Sequence, residues 1–249
     1  MNGTNGTNNH SPDIMVAGRP VWPGFTSPIT ATVIERASER VGEHTGDCTL
    51  QMSPQKGRGF LRPTYGTVSR YGVVPMACSM DQVGVDCGRA ADGLAVLARI
   101  AGYDPRDGAM FPDAAYTYAP SGKTPRMAAP VLPHLDVLEE VYAIIKSAEI
   151  AHNFTRYDGI KFPVPPLGDD IRNNIDTGNR VLQQANYERC YVKAMRIRRV
   201  YKDALDFADY DLAELPYPVA ALTGCPAWVD ADGRCLIAPV KGEGMFRAL

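Results

Sequence analysis

No stretch of the 249 residues approaches the about 18 uninterrupted apolar positions that a membrane-crossing helix needs. The opening MNGTNGTNNHSPD also carries no apolar run of signal-peptide length, so a cytoplasmic protein without a membrane partner is expected. An excess of one charge is lacking too. Lys and Arg (26) nearly balance Asp and Glu (28) for a net charge of -2, which provides no long-range field to draw in nucleic acid or an anionic membrane. There is no Cys-x-x-Cys pair: Cys48, Cys78, Cys87, Cys190, Cys225 and Cys235 are widely spaced and only 4 histidines accompany them. Neither a zinc site nor a disulfide scaffold is indicated, and free thiols in a reducing cytosol are expected. No metal and no cofactor are expected. Asn2, Asn5 and Asn153 begin Asn-x-Thr sequons, which without secretion are chance matches.

What is present is material for a core, at 45% hydrophobic residues. The first dozen residues are mostly Asn, Gly and Thr with little to bury, and a polar tail over residues 1–18 is expected to stay disordered. Ser27-Pro28 can cap a helix in which Val33, Ile34, Ala37 and Val41 share a face, with Glu35, Arg36, Glu39 and Arg40 opposite. Residues 64–74, TYGTVSRYGVV, mix β-branched and aromatic side chains with glycine as short strands and tight connections do. Ala90, Leu94, Leu97 and Ile100 recur at helical spacing and end near Gly102, a suitable C-cap. Pro-rich segments at 104–133 and 163–167 read as loops, and helices are expected over about 135–154, 169–184 and 187–208. In the tail, two short apolar runs flank Asp-Ala-Asp-Gly, as in a hairpin.

Residues 59–84, GFLRPTYGTVSRYGVVPMACSMDQVG, resemble the amidase signature family where its chain leaves the active-site region, a segment written Gly-Leu-Lys-Pro-Thr-Tyr-Gly-Arg-Val-Ser-Arg-Tyr-Gly. The likeness continues through RAADGLAVLARIAGYDPRD, IKSAEIAHNFTRYDGIKF and YVKAMRIRRVYKDALDFADYD, in the order found in the tRNA amidotransferase A subunits of that family. It covers residues of about 42–107 and 140–211, with a weaker likeness near LTGCPAW. The resemblance implies amide hydrolysis by a serine nucleophile, a second serine preceded by a cis peptide, and a lysine that relays protons.

Each implied part can be sought by position. Counting back without gaps from Pro-Thr-Tyr-Gly, the family's Asp-Thr-Gly-Gly-Ser falls on His44-Thr45-Gly46-Asp47-Cys48, so Cys48 takes the nucleophile's place. A thiolate is a good nucleophile. Asp47, however, replaces a glycine whose backbone would approach the developing oxyanion, and a carboxylate there opposes that charge. Thr45, Gly46 and Asp47 are the residues expected along the substrate. The second serine falls near Pro23-Gly24-Phe25-Thr26-Ser27-Pro28, where Thr26 or Ser27 would substitute or, alternatively, form only a turn and N-cap. The relay lysine is implied well upstream of that loop, where residues 1–22 contain none; Lys56 and Lys123 fall outside the motif. On the substrate side, Asn174 stands where the resemblance implies a carboxylate-holding arginine, and Phe162 where it implies a tyrosine. After Tyr210-Asp211 the family's Pro-Thr-rich loop and its substrate-facing aspartate are missing before Pro216. The charged residues 35–40 occupy what the resemblance implies to be a buried Ala-Gly helix, which places that helix in contact with water.

The expected fold is therefore α/β, a partial amidase-signature fold with a mixed β-sheet flanked by helices over residues 19–249. The expected function is that of a catalytically impaired protein or pseudoenzyme similar to amidotransferase A subunits. The alternative is an active amidase or amidotransferase that hydrolyses a carboxamide with Cys48, aided by His44 or a lysine of another chain. A sheet without its opening strands exposes edges and apolar faces, so a partner subunit or a second copy of the chain is expected. Arg189, Lys193, Arg196, Arg198, Arg199 and Lys202 fall on more than one side of a helix and read as a solvated face; nucleic acid is not an expected partner of the chain on its own.

Overall fold

The computed structural model describes residues 14–16, 19–21, 31–34, 59–71, 75–112, 124–156 and 169–249. Alternation along one central strand divides the core. In β4 (Gly59–Arg62), Phe60 and Leu61 project from opposite faces of the sheet and enter two different apolar clusters. β5 (Gly84–Cys87) pairs with one side of β4 and β8 (Ala227–Val229) with the other, setting Leu61 opposite both Val85 and Trp228.

β9 (Cys235–Ile237), β7 (Leu212–Glu214) and β6 (Met127–Ala128) continue the sheet beyond β8, and β3 (Ala31–Ile34) extends it beyond β5. The order is β3-β5-β4-β8-β9-β7-β6; β6 and β7 are parallel and the other neighbours antiparallel. This is the expected mixed sheet. β1 (Ile14–Val16) and β2 (Arg19–Val21) form a separate antiparallel hairpin across residue 18, where composition places the end of the polar tail. The β8–β9 hairpin is also as expected: Asp230 Oδ1 accepts from the N–H groups of Asp232 and Arg234 at 3.0 and 2.9 Å, and Gly233 supplies a φ of 86°.

Helices cover both faces. α1 (Ala90–Ile100) buries Leu94 and Leu97 against the Leu61 side, together with Phe246 of the C-terminal turn. The Phe60 side is covered by α2 (Leu138–Phe154), α5 (Lys193–Ala204) and α6 (Tyr217–Thr223), and every residue of α6 is buried. α3 (Asp169–Val181) packs on α2 through Gly178, where a Cβ would lie 2.6 Å from Ala151 Cβ. α4 (Gln184–Tyr187) leads through a π turn (Glu188–Val192) into α5. None of the described helices is long and apolar enough to cross a membrane.

Three local expectations are corrected. The helix expected from Ser27 does not include residues 31–34, which form β3 paired to β5; Thr32, Val33 and Ile34 are β-branched and suit a strand once an edge is on offer. Residues 64–71 are turns: Thr67 N–H donates to Thr64 O at 3.1 Å, and Gly66 has φ 84° where a Cβ would sit 2.6 Å from Ala109 O. The last long helix stops at Ala204 instead of about 208, because Asp206 Oδ1 captures the Ala208 N–H at 3.0 Å and competes with the helical bond.

Candidate functional site

Of the residues that the sequence nominates, Cys48, Ser27, Thr26, Thr45, Gly46, Asp47 and Phe162 lie outside the described residues, as do His44, Lys56 and Lys123. Asn174 is described. It lies half-buried on α3, and its Oδ1 accepts a hydrogen bond from Ser147 Oγ of α2 at 2.9 Å. A side chain so engaged holds two helices together, and its amide offers no cationic fork. The structure does not bring it together with another nominated residue within the described part of the chain.

What the described residues do assemble lies in the segment of family resemblance. Four successive carbonyl oxygens, those of Cys78, Ser79, Met80 and Asp81, each accept from a guanidinium group. Arg70 Nη1 reaches Cys78 O at 2.5 Å and Asp81 O at 3.4 Å, Arg198 Nη2 reaches Ser79 O at 3.1 Å, and Arg62 Nη2 reaches Met80 O at 2.9 Å. A short loop without a ladder must satisfy its backbone by other means, and arginine donors from β4, from the turn segment 64–71 and from α5 do so here. Arg62 is fully buried at the end of β4 and also donates to Tyr217 OH of α6 at 3.1 Å. Arg198 donates to Leu222 O at 2.6 Å, and burial lowers its pKa below the usual arginine value.

Side chains complete the clamp. Glu149 of α2 accepts from Ser79 N–H at 2.9 Å and from Ser79 Oγ at 2.5 Å, while that Oγ also accepts from Arg198 Nη1 at 2.6 Å. The hydroxyl therefore has a carboxylate on one side and a cation on the other. Together with the Ser79 N–H bond to Glu149, these contacts fasten the loop to α2 and α5. Asn153 Nδ2 donates to Met76 O at 2.6 Å and to Cys78 Sγ at 3.2 Å. Being buried and so engaged, Asn153 is no glycan acceptor.

Over this loop opens a cleft of about 390 Å³, lined by Arg70, Tyr71, Pro75, Cys78, Asp81, Arg106, Asp107 and Arg156. Its walls are ion-paired. Asp107 accepts from Arg70 Nε and backbone N–H at 3.1 and 2.9 Å; burial opposes its charge, but these bonds and that from Ala109 N–H hold its pKa below the ordinary carboxyl value. Asp104 accepts from Arg106 Nε and Nη2, both at 2.8 Å, and from Ser69 Oγ at 2.8 Å. Chiefly through the Arg106 bonds, and against burial, its pKa falls to about 2. Arg106 stacks over the Tyr71 ring at 4.3 Å and Arg70 over the Tyr65 ring at 4.9 Å. The Cys78 thiol is pushed up, mainly by burial, so it is a poor nucleophile near neutral pH. Among the described residues no group of His, Cys, Asp and Glu is placed to hold a metal ion.

The sequence does not single out these partners. Asp104 and Asp107 fall in a segment that reads as a loop, yet Ser69-Arg70 and Asp104-x-x-Asp107 form two matched pairs of donor and acceptor. Two aspartates three apart beside Pro105 and Gly108 are the signal for a turn whose carboxylates point inward.

No protein-family model matches the chain. Among curated proteins it is similar to the A subunit of glutamyl-tRNA(Gln) amidotransferase of Lachnoclostridium phytofermentans, 27% identical over 277 residues, covering 88% of this chain and 55% of that protein. The corresponding protein of Geobacter sulfurreducens is 28% identical, with 80% of this chain and 52% of the relative covered. The chain thus spans about half the length of the curated relatives it matches. Among solved structures, the A subunit of glutamyl-tRNA(Gln) amidotransferase from Thermotoga maritima superposes with a TM-score of 0.57 at 23% identity, over 80% of this chain and 57% of that one. The urea amidolyase of K. lactis gives 0.60 at 15% identity, over 87% of this chain and 16% of that one. At these identities the structures speak for the fold, and the amidotransferase sequences add a similarity along most of the chain. In sequence and in fold the chain thus resembles the amidase signature family and, within it, the A subunit of glutamyl-tRNA(Gln) amidotransferase.

Proposed function

We propose that this chain is an amidase-signature protein impaired in amide cleavage, and that it works in the cytoplasm with a partner subunit or a second copy of itself. The observation that carries this reading is Asn174. It stands where the resemblance implies a carboxylate-holding arginine, and its side chain is bonded to Ser147 at 2.9 Å. A neutral amide offers a carboxylate neither charge nor bidentate geometry. Two substitutions in the sequence support the same reading: Cys48 at the nucleophile's place, and beside it Asp47, whose carboxylate opposes an oxyanion. A partner is supported by the relatives' own designation as subunits.

The test is an assay of the purified chain on glutamine and simple carboxamides, with iodoacetamide labelling around neutral pH and mapping of the modified cysteines. No turnover above the uncatalysed rate is expected. Turnover that is abolished by Cys48→Ser, together with fast selective labelling of Cys48, would overturn the proposal and establish a thiol amidase. For the partner, light scattering is expected to report self-association or co-purification with a second chain; a stable dilute monomer would refute it.

A further inference from the structure

The cleft above the arginine-held loop is lined by three guanidinium groups and two carboxylates, and these differ in what they have left to offer. Asp107 is fully engaged: its two oxygens take Arg70 Nε, Arg70 Nη2 and the backbone N–H groups of Arg70 and Ala109. Asp81 Oδ2 accepts the Met76 N–H at 2.8 Å, and the residue has further interactions. The acceptors are thus committed. The donors are not. Among the described residues Arg156 makes one hydrogen bond, Nη2 to Asn153 Oδ1 at 3.2 Å, and its side chain is exposed. Arg106 places Nε and Nη2 on Asp104, and none of the hydrogen bonds among the described residues uses Nη1. The Tyr71 ring, 46% exposed, carries Arg106 at 4.3 Å and adds a flat apolar surface.

Asp104 behind Arg106 balances the cluster's charge, so spare donor capacity decides what the cleft prefers. A site with unspent N–H groups and spent carboxylates takes acceptors, and a planar fork suits two oxygens of one oxyanion. About 390 Å³ is within the range of small-molecule sites. We infer that this cleft binds a small ligand bearing an oxyanion, a carboxylate or a phosphate group, held by Arg156 with Arg106 and resting its flat part on Tyr71. The loop clamp gives that site a fixed floor, because the four carbonyls from Cys78 to Asp81 are already bonded and the loop need not be ordered on binding. The inference is independent of whether the chain cleaves amides, since its readout is binding.

The experiment is isothermal titration of the full chain with benzoate and, separately, with inorganic phosphate at low ionic strength, with sodium chloride as the control anion. Saturable binding of at least one probe is expected, weakened about tenfold by Arg156→Gln and less by Arg156→Lys. Arg172→Gln, an exposed arginine on α3, is expected to leave the affinity unchanged. Benzoate binding alone assigns a carboxylate ligand, phosphate binding alone a phosphate-bearing one, and binding of both a general oxyanion site; each supports the inference. Because Arg156 is exposed, its variants should keep the parental melting temperature. Absence of saturation by either probe, or an affinity that Arg156→Gln leaves untouched, overturns it.

Discussion

Gly178→Ala is expected to destabilise the chain although it replaces glycine inside a helix. At an exposed helical site this change would raise stability by about 1 kcal/mol through backbone entropy and helix propensity. Gly178, however, is buried where α3 meets α2. A Cβ there would lie 2.6 Å from Ala151 Cβ and 2.6 Å from the Ser147 carbonyl carbon, and nearer still to the Ser147 oxygen. Two of those atoms are backbone, so relief requires the helices to part. Overpacking of this kind costs about 1–3 kcal/mol. Parting α3 from α2 also strains the Asn174–Ser147 hydrogen bond, one turn away, worth about 1 kcal/mol. Net destabilisation is then about 2 kcal/mol, which in a chain of this size lowers the melting temperature by about 4–8 °C. Thermal unfolding followed by far-ultraviolet circular dichroism measures it. Gly88→Ala, where a Cβ would meet nothing within 4 Å, serves as the control and is expected to move the midpoint little. A Gly178→Ala protein as stable as the parent, or more so, would refute the close approach of α2 and α3 and with it the placement of Asn174.

Arg198→Met is expected to cost about 2–4 kcal/mol, because it deletes the charge-assisted bonds to Ser79 O, Ser79 Oγ and Leu222 O and leaves Glu149 without its cation; urea unfolding measures it, and a loss under about 1 kcal/mol would show that the clamp is dispensable. Acid should act through Asp104 and Asp107, whose folded pKa values lie below the ordinary carboxyl value. Their contribution is complete above about pH 5, where the unfolded carboxylates (pKa ~3.9) are also ionised. It is lost as pH falls through the unfolded value and on toward about 2 for Asp104. Urea midpoints measured from neutral to acid pH should therefore fall on the acid side, and Asp104→Asn should flatten that fall; a profile unchanged by the substitution would refute the assignment.

How far the sequence discloses the protein depends on how local each feature is. α2, with its apolar spacing from Leu138 to Phe154, and the hairpin around Asp230 and Gly233 are written in neighbouring residues and can be read directly. β3 cannot be: its apolar residues fit a helix face equally well, and only β5, about fifty residues later, makes them a strand. The clamp is less legible still, since Arg62, Arg70 and Arg198 look like ordinary charged side chains until the fold delivers them to one loop. Asn174 is reached by alignment with a motif, whereas its bond to Ser147 follows from the α2–α3 approach that Gly178 permits.

The residues that carry the family resemblance also explain why a family likeness and a working catalytic centre are separable. Thr64 N–H donates to the buried Glu243 at 2.7 Å, Tyr65 OH to Cys78 O at 2.7 Å, Ser69 Oγ to Asp104 and Arg70 to Asp107, while Asp81 receives the Met76 N–H. Gln82 donates its amide to Pro63 O. All of these bonds are internal, and each ties one stretch of chain to another. A sequence obliged to satisfy them keeps its likeness to amidases because the scaffold needs those side chains, whatever chemistry the chain performs. On the proposed reading, positions 47, 48 and 174 are under a different constraint. A nucleophile, an oxyanion hole and a carboxylate fork are needed only for turnover. Asn174, bonded to Ser147, is not among the side chains that hold the loop from Cys78 to Asp81. On the proposed reading, a fold held by these bonds is compatible with a centre impaired in amide cleavage, and the proposed oxyanion cleft is tested by binding without reference to hydrolysis.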